Sequence, residues 1–257
     1  MEEAFNIYFV GTAGSGKSTI TAAFSEWLNT QGYDSVLVNL DPGAEAKPYE
    51  SDVDITEWIN LPEIMKEYGL GPNGAQVAAA DLLAINASKV WRSISEFETD
   101  FVVIDTPGQL ELFTFRESSR KLIEQFGPER SAICFLIDPI LSRNANGFVS
   151  SLLLATTASF RLAIPMLKVI SKSDLLSEKD IENIQSWSTD HYSLSGALGE
   201  EVASAQNLAS VEFLRALETL GVVGEVMFAS SETMSGMEDI YNFVQQIRAG
   251  GEDLVPR

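Results

Sequence analysis

The chain has 257 residues, 45% hydrophobic and 21% charged, enough apolar material for one large α/β core. Its 17 Lys+Arg against 37 Asp+Glu leave a formal net charge of −20, a balance that argues against a broad nucleic-acid or anionic-membrane surface. One cysteine, Cys134, no apolar run of membrane-spanning length and an acidic Met1-Glu2-Glu3 start unlike a signal peptide together predict a reducing, cytoplasmic setting.

The first predicted strand, Phe5 to Val10, runs into Gly11-Thr12-Ala13-Gly14-Ser15-Gly16-Lys17-Ser18, which fits GxxxxGK[ST]. A polyphosphate is a dense anion, best held by backbone N–H groups converging from a glycine-rich turn at a helix N-terminus. Gly11, Gly14 and Gly16 leave room for that approach, so the backbone from Thr12 through Ala13, Gly14, Ser15, Gly16, Lys17 and Ser18 to Thr19 is the expected cradle. Lys17 adds a point charge between the outer phosphates, and the Ser18 hydroxyl suits a bridging Mg²⁺. A helix is predicted from Lys17 to about Asn29, with Ile20, Phe24, Trp27 and Leu28 on one face. The second strand, Ser35 to Leu40, delivers Asp41 to the carboxyl edge of the sheet, where folds of this kind bind ligands; a turn-capping role for Asp41 stays open.

About sixty residues separate the second and third expected strands, far more than one crossover helix needs. This insertion, roughly residues 54–98, is expected to hold a helix from about Thr56 to Glu67, a sharply turned segment from Gly69 to Gly74, and a long helix from about Ala75 to Glu96. The long helix carries Val77, Leu82, Leu83, Ile85, Val90, Trp91 and Ile94, which leaves both core packing and a subunit interface open.

The third strand, Phe101 to Asp105, opens Asp105-Thr106-Pro107-Gly108-Gln109-Leu110-Glu111. Asp105 can hold magnesium directly or through water, and Gly108 can offer an unobstructed N–H to a terminal phosphate. Gln109 can orient an attacking water and Glu111 can accept its proton, although a plain helix start also accounts for the two. Strands are further expected at Ser131 to Asp138, Pro165 to Ser171 and Glu225 to Ala229. Ser171-Lys172-Ser173-Asp174 closes one of them. There Lys172 can lay its aliphatic stem over a purine, and Asp174 can accept from guanine N1–H and the exocyclic amine, a donor pair that adenine lacks. Helix capping by Ser173-Asp174 is the competing reading. Ser177 to Gly221 reads as helical with polar breaks near His191 to Gly199, and His191 has no partner histidine or cysteine for zinc. Phe228-Ala229-Ser230-Ser231 lies where a further loop could approach a base, and a last helix is predicted from Met237 to Arg248.

Taken together with Gly71-Pro72-Asn73 inside the insertion, these motifs resemble a GPN-loop GTPase of the archaeal, homodimeric type, over nearly the whole chain (residues 1–253 as one domain). That family is similar to the dimerising P-loop NTPases, the SIMIBI-like class that also holds signal-recognition-particle GTPases and MinD-like ATPases. The resemblance implies an α/β fold with a mostly parallel sheet flanked by helices and a helical insertion carrying the GPN loop. It implies GTP hydrolysis to GDP and phosphate with Mg²⁺, by a homodimer in which Gly71, Pro72 and Asn73 reach the neighbouring subunit's phosphates. Gln109 and Glu111 then match the water-positioning glutamine and following acid, and Asp41 and Asp105 the metal-side aspartates. By analogy alone it also suggests protein-complex assembly, RNA polymerase among the partners, with no direct nucleic acid and no membrane. Ser171 departs from the Asn or Thr that commonly opens the guanine motif, while Lys172 and Asp174 keep the discriminating contacts. An ATP-driven partitioning or metal-insertion factor is a second reading, but the deviant loop of many such ATPases has lysine after its first glycine, where this chain has Thr12. A nucleotide-gated interaction module with turnover as a timer is a third. Leu254-Val255-Pro256-Arg257 reads as the remnant of a thrombin-cleavable tag.

Overall fold

A computed structural model describes residues 4–44, 46–201 and 204–249. Among them, strands β1 (Phe5–Gly11), β2 (Ser35–Asn39), β3 (Val53–Asp54), β4 (Phe101–Asp105), β5 (Ser131–Ile137), β6 (Met166–Ile170) and β7 (Met227–Phe228) form one sheet in the order β3-β2-β4-β1-β5-β6-β7, every neighbouring pair parallel. Parallel neighbours need long crossovers. These run through α1 (Lys17–Thr30), α2 (Leu61–Tyr68), α3 (Pro72–Ile94), α4 (Leu110–Thr114), α5 (Glu117–Phe126), α6 (Ala145–Leu162), α7 (Glu178–Thr189), α8 (His191–Glu200) and α9 (Ala205–Thr219), and the described chain ends in α10 (Met237–Ala249).

Successive strand residues point to opposite faces, so each strand feeds two apolar layers. Tyr8, Val10, Val102, Ile104, Ile133, Phe135 and Ile137 pack in the layer with α3, α5 and α6. Phe5, Ile7, Phe9, Phe101, Val103 and Leu136 pack in the layer with α1 and α10. Because both faces are covered, the strands read as nearly unbroken apolar runs, and each fully buried Phe or Ile contributes roughly 1.5–3 kcal/mol. Cys134 belongs to the second layer, and burial pushes its thiol pKa up, which suits packing and not nucleophilic chemistry.

Register assembles the site. Phe9 and Asn39 both pair with Asp105, so Gly11, Asp41 and Asp105 leave the sheet at one carboxyl edge. On the other side of β1, Gly11 pairs with Leu136 and Ile137 with Ile170, which brings Ser171 to the same edge. The chain order reverses around β1, so this edge is the topological switch point of the sheet.

The insertion departs from the sequence expectation in its details. Val53–Asp54 add an edge strand that only two paired residues define, too few to show as a periodic pattern. The helix expected from Thr56 to Glu67 is instead a 3-10 turn at Ile55–Glu57 followed by α2. Asn60 caps α2 by accepting from the Glu63 N–H at 3.1 Å, and Pro62 in its first turn cannot continue a helix begun upstream. The reversal is confined to Gly69–Gly71, and α3 begins at Pro72 and not at Ala75. A proline fits there because the first N–H of a helix has no intrahelical partner. Gly71-Pro72-Asn73 is therefore the cap and first turn of a 23-residue helix.

The expected break at His191 to Gly199 is helix α8. Asp190 caps it by accepting from Tyr192 N–H at 3.1 Å, and Leu194 and Leu198, both fully buried one turn apart, outweigh Gly196 and Gly199. The expected tag remnant, Leu254 to Arg257, lies outside the described residues. Among the described residues no helix is long and apolar enough to cross a membrane.

Candidate active site

The loop between β1 and α1 turns through Gly14 and Gly16, whose φ values of +79° and +84° disfavour any side chain. At Gly11 the constraint is space, since a Cβ would lie 2.6 Å from the Leu136 carbonyl oxygen. Lys17 is 5% exposed, and its Nζ donates to the carbonyls of Gly11 at 3.1 Å, Thr12 at 3.0 Å and Gly108 at 2.9 Å. Burial lowers the Lys17 pKa, while the charges of Asp105 and Asp41 pull it back up. The ammonium thus sits between the phosphate loop and the loop after β4, with two carboxylates near it.

Asp41 caps a turn, as one of its two readings has it, and its second oxygen reaches across the site. Its Oδ1 accepts from Gly43 N–H at 2.8 Å, a turn cap, and its Oδ2 accepts from Gly108 N–H at 2.8 Å across the site. Asp105 is 2% exposed; its Oδ2 accepts from the Tyr49 hydroxyl at 2.8 Å, and its buried Oδ1 has no hydrogen-bond partner among the described residues. Burial raises the Asp105 pKa; the nearby Ser18 hydroxyl, the Tyr49 hydroxyl and the Lys17 charge hold it down. The unpartnered Asp105 Oδ1 and the Ser18 hydroxyl are both oxygen donors, which fits Mg²⁺. Among the described residues no group of three or more His, Cys, Asp or Glu is placed to hold a metal. Tyr49 escaped sequence reasoning. It is carried over Asp105 by a segment that Lys47 anchors through its ion pair with Asp54 on β3.

Gln109 is the N-cap of α4, yet its side chain makes no capping bond; Nε2 donates instead to Gln76 Oε1 at 3.0 Å. Gln76 also escaped sequence reasoning, and its place one turn beyond Asn73 was the only signal for it. Glu111 is exposed in the first turn of α4, where the helix dipole favours a carboxylate. Gly71, Pro72 and Asn73 are exposed at the N-terminus of α3, and among the described residues no hydrogen bond joins Asn73 to the phosphate loop. One chain therefore brings together Lys17, Ser18, Asp41, Asp105, Gly108 and Gln109, and leaves Gly71–Asn73 facing solvent.

Beside α1 lies a cleft of about 390 Å³ lined by Gly16, Thr19, Ile20, Ser171, Lys172, Asp174, Leu175, Ser231 and Glu232. Lys172 adopts φ +49° and donates from Nζ to the Gly14 carbonyl at 2.7 Å, which stretches its stem along one wall past Gly16. Ser171 Oγ lies 2.7 Å from the Ser15 carbonyl, which it donates to, so the serine ties the loop after β6 to the phosphate loop despite its departure from the usual Asn or Thr. Ser173 and Asp174 do not cap α7; Ser177 does, in a capping box with Asp180. Asp174 Oδ1 accepts from Ser230 Oγ, and Ser173 N–H donates to the Ala229 carbonyl at 3.1 Å. Those bonds bring the loop after β7 to the cleft, where Ser231 and Glu232 join the wall.

A parallel sheet whose switch-point strand runs through a glycine loop into a helix, with Lys17 and Ser18 opening that helix, defines a P-loop NTPase. A family model described as "Conserved hypothetical ATP binding protein" matches residues 9–250. A GPN-loop GTPase of Pyrococcus abyssi is 34% identical, over 91% of this chain and 93% of its own length. GPN-loop GTPase 1 of Schizosaccharomyces pombe is 27% identical, over 97% of this chain and 71% of its own. A crystal structure of a Pyrococcus abyssi GTPase in apo form is similar at a TM-score of 0.84 and 32% identity, covering 95% of this chain and 98% of that one. The chain belongs to the GPN-loop GTPase family.

Proposed function

We propose that this protein binds GTP with Mg²⁺ and hydrolyses it to GDP and phosphate. The observation that carries the reading is the Asp174 carboxylate, held by Ser230 in a cleft that Lys172 walls and the phosphate loop borders. A carboxylate is acceptor-only and so complements the two donors on guanine's edge, while adenine presents a bare N1 acceptor in that place. The description of the matched family names ATP; Asp174 favours GTP.

In this reading the backbone from Thr12 to Thr19 and Lys17 hold the β- and γ-phosphates. Ser18 and Asp105, with Asp41 behind them, would hold Mg²⁺, which when bound neutralises charge on the bridging phosphate oxygens. Gly108 N–H exchanges Asp41 Oδ2 for a γ-phosphate oxygen, Gln109 orients the attacking water and Glu111 accepts its proton. Gln109→Leu is expected to keep GTP affinity within about threefold while lowering phosphate release tenfold or more, a barrier change of about 1.4 kcal/mol. Equilibrium GTP titration beside a single-turnover assay measures both, and an unchanged rate would remove Gln109 from the mechanism.

Two features support a homodimer in which each Gly71-Pro72-Asn73 reaches the neighbour's phosphates. The segment is exposed, and on the same helix Val77 and Ile85 are 42% and 72% exposed. Phosphate release per monomer is expected to climb with protein concentration and to ignore excess ATP. A constant rate down to dilutions where sedimentation shows only monomer would end the completion of the site in trans, and suppression by ATP would restore the ATPase reading. Residues 1–253 then act as one cytoplasmic GTPase unit, insertion included, whose nucleotide-dependent shape suits the assembly of protein complexes.

A further inference from the structure

We propose that Gln76 is a positioning residue for hydrolysis, fixing the carboxamide of Gln109 and so tying the first turns of α3 to the water site. The inference rests on the hydrolytic role given to Gln109 above. Gln109 Nε2 donates to Gln76 Oε1 at 3.0 Å, and this is the one hydrogen bond the Gln109 side chain makes among the described residues. With its amide nitrogen held from α3, the carboxamide keeps its oxygen for a water that must donate to it. Without that bond a glutamine at a helix cap samples several rotamers, and the productive one becomes a minority.

The support behind Gln76 is rigid. Ala75 and Ala79, which flank it on α3, are fully buried, and Leu83 and Val90 continue the same packing. A second tether runs parallel to the first, since Arg116 Nη2 donates to Asp81 Oδ2 at 2.7 Å and to the Val77 carbonyl at 3.2 Å. The segment from Gln109 to Arg116, α4 included, is thus pinned to α3 at both ends. Gln76 also borders the loop after β2, because a Cβ on Gly43 would lie 3.5 Å from Gln76 Nε2. Asp41 joins that loop to the next by accepting from both Gly43 and Gly108 N–H groups. Gln76 stands where the two loops and the Gly71–Asn73 helix end meet, so displacement of that helix end reaches the Gln109 carboxamide directly.

Gln76→Met keeps the length and helix preference of the side chain and removes the acceptor. It is expected to lower kcat for GTP about tenfold with KM and equilibrium GTP affinity within twofold. In a Gln109→Leu background the same change is expected to move kcat by less than twofold, because its partner is already gone. Wild-type kcat in Gln76→Met, an equal loss in both backgrounds, or a loss of GTP affinity in step with kcat would each overturn the role of Gln76. If Gln109→Leu alone leaves kcat unchanged, the fault lies instead with the hydrolytic role of Gln109, and the inference falls with it.

Discussion

Lys17→Met is expected to weaken GTP binding a hundredfold or more while leaving the fold in place. The Lys17 ammonium is nearly buried and its three donors are all spent on carbonyls of the two loops that flank the proposed phosphate position. A triphosphate arriving there replaces neutral acceptors by anionic ones, which adds ion-pair attraction to bonds already charged on the donor side. A hundredfold corresponds to about 2.7 kcal/mol, modest for one desolvated charge pair. The fold has less at stake. Burial already disfavours the charged lysine, but its removal leaves the Asp105 and Asp41 carboxylates without their neighbouring cation, so the melting temperature is expected to fall while the chain stays folded. Isothermal titration with Mg-GTP, beside a melting curve without nucleotide, separates the two effects. Affinity retained within fivefold would mean that the loop does not hold the phosphates. The variant also carries a pH signature. Without the Lys17 charge, Asp105 keeps only its bonds to Ser18 and Tyr49 against the burial that raises its pKa. It then protonates at higher pH, so residual Mg²⁺-dependent binding fades earlier as pH falls.

Lys17 also shows what kind of feature a sequence displays. The phosphate loop is contiguous, lies between a strand and a helix of clear pattern, and needs no distant partner to be recognised. The positions of Asp105, which ends β4, and Asp174, in the turn just after β6, were legible because each closes an apolar run. The sheet order and the meeting of Asp41 with Gly108 follow from register, which strand pattern anticipates only in outline. The contacts that escaped are those made across the chain: Gln76 with Gln109 over 33 residues, and both Tyr49 with Asp105 and Asp174 with Ser230 over 56. No local period announces such a pair; Gln76 and Tyr49 belong to residue types that look ordinary wherever they fall, and the Phe228 to Ser231 loop was expected near a base without its bond to Asp174. In the insertion the errors were of a different kind. Asn60 and Pro62 mark the true helix start, and the expected helix from Thr56 to Glu67 ran across them.

Asp174→Asn is expected to reverse the base preference, costing GTP a hundredfold or more in affinity while admitting XTP. Guanine offers two donors side by side, N1–H and the exocyclic amine, and a carboxylate accepts both. Each such bond to a charged group is worth roughly 1.5–3 kcal/mol, so a loss equivalent to about 2.7 kcal/mol needs little more than one of them. Asparagine has a single oxygen, and Ser230, fully buried, already donates to Oδ1. The carboxamide nitrogen therefore takes the place of Oδ2 and meets guanine's amine donor to donor, a contact that leaves both groups unpaired. Xanthine carries a carbonyl where guanine has its amine, and that oxygen accepts from the new nitrogen. Lys172, with its Nζ tied to the Gly14 carbonyl, is untouched by the change and serves either purine equally. Competition of XTP, GTP and ATP for the purified variant and the parent measures the reversal directly. GTP affinity unchanged within threefold would show that Asp174 does not read the base, and a parent that turns over ATP as fast as GTP would return the second reading of the sequence to first place.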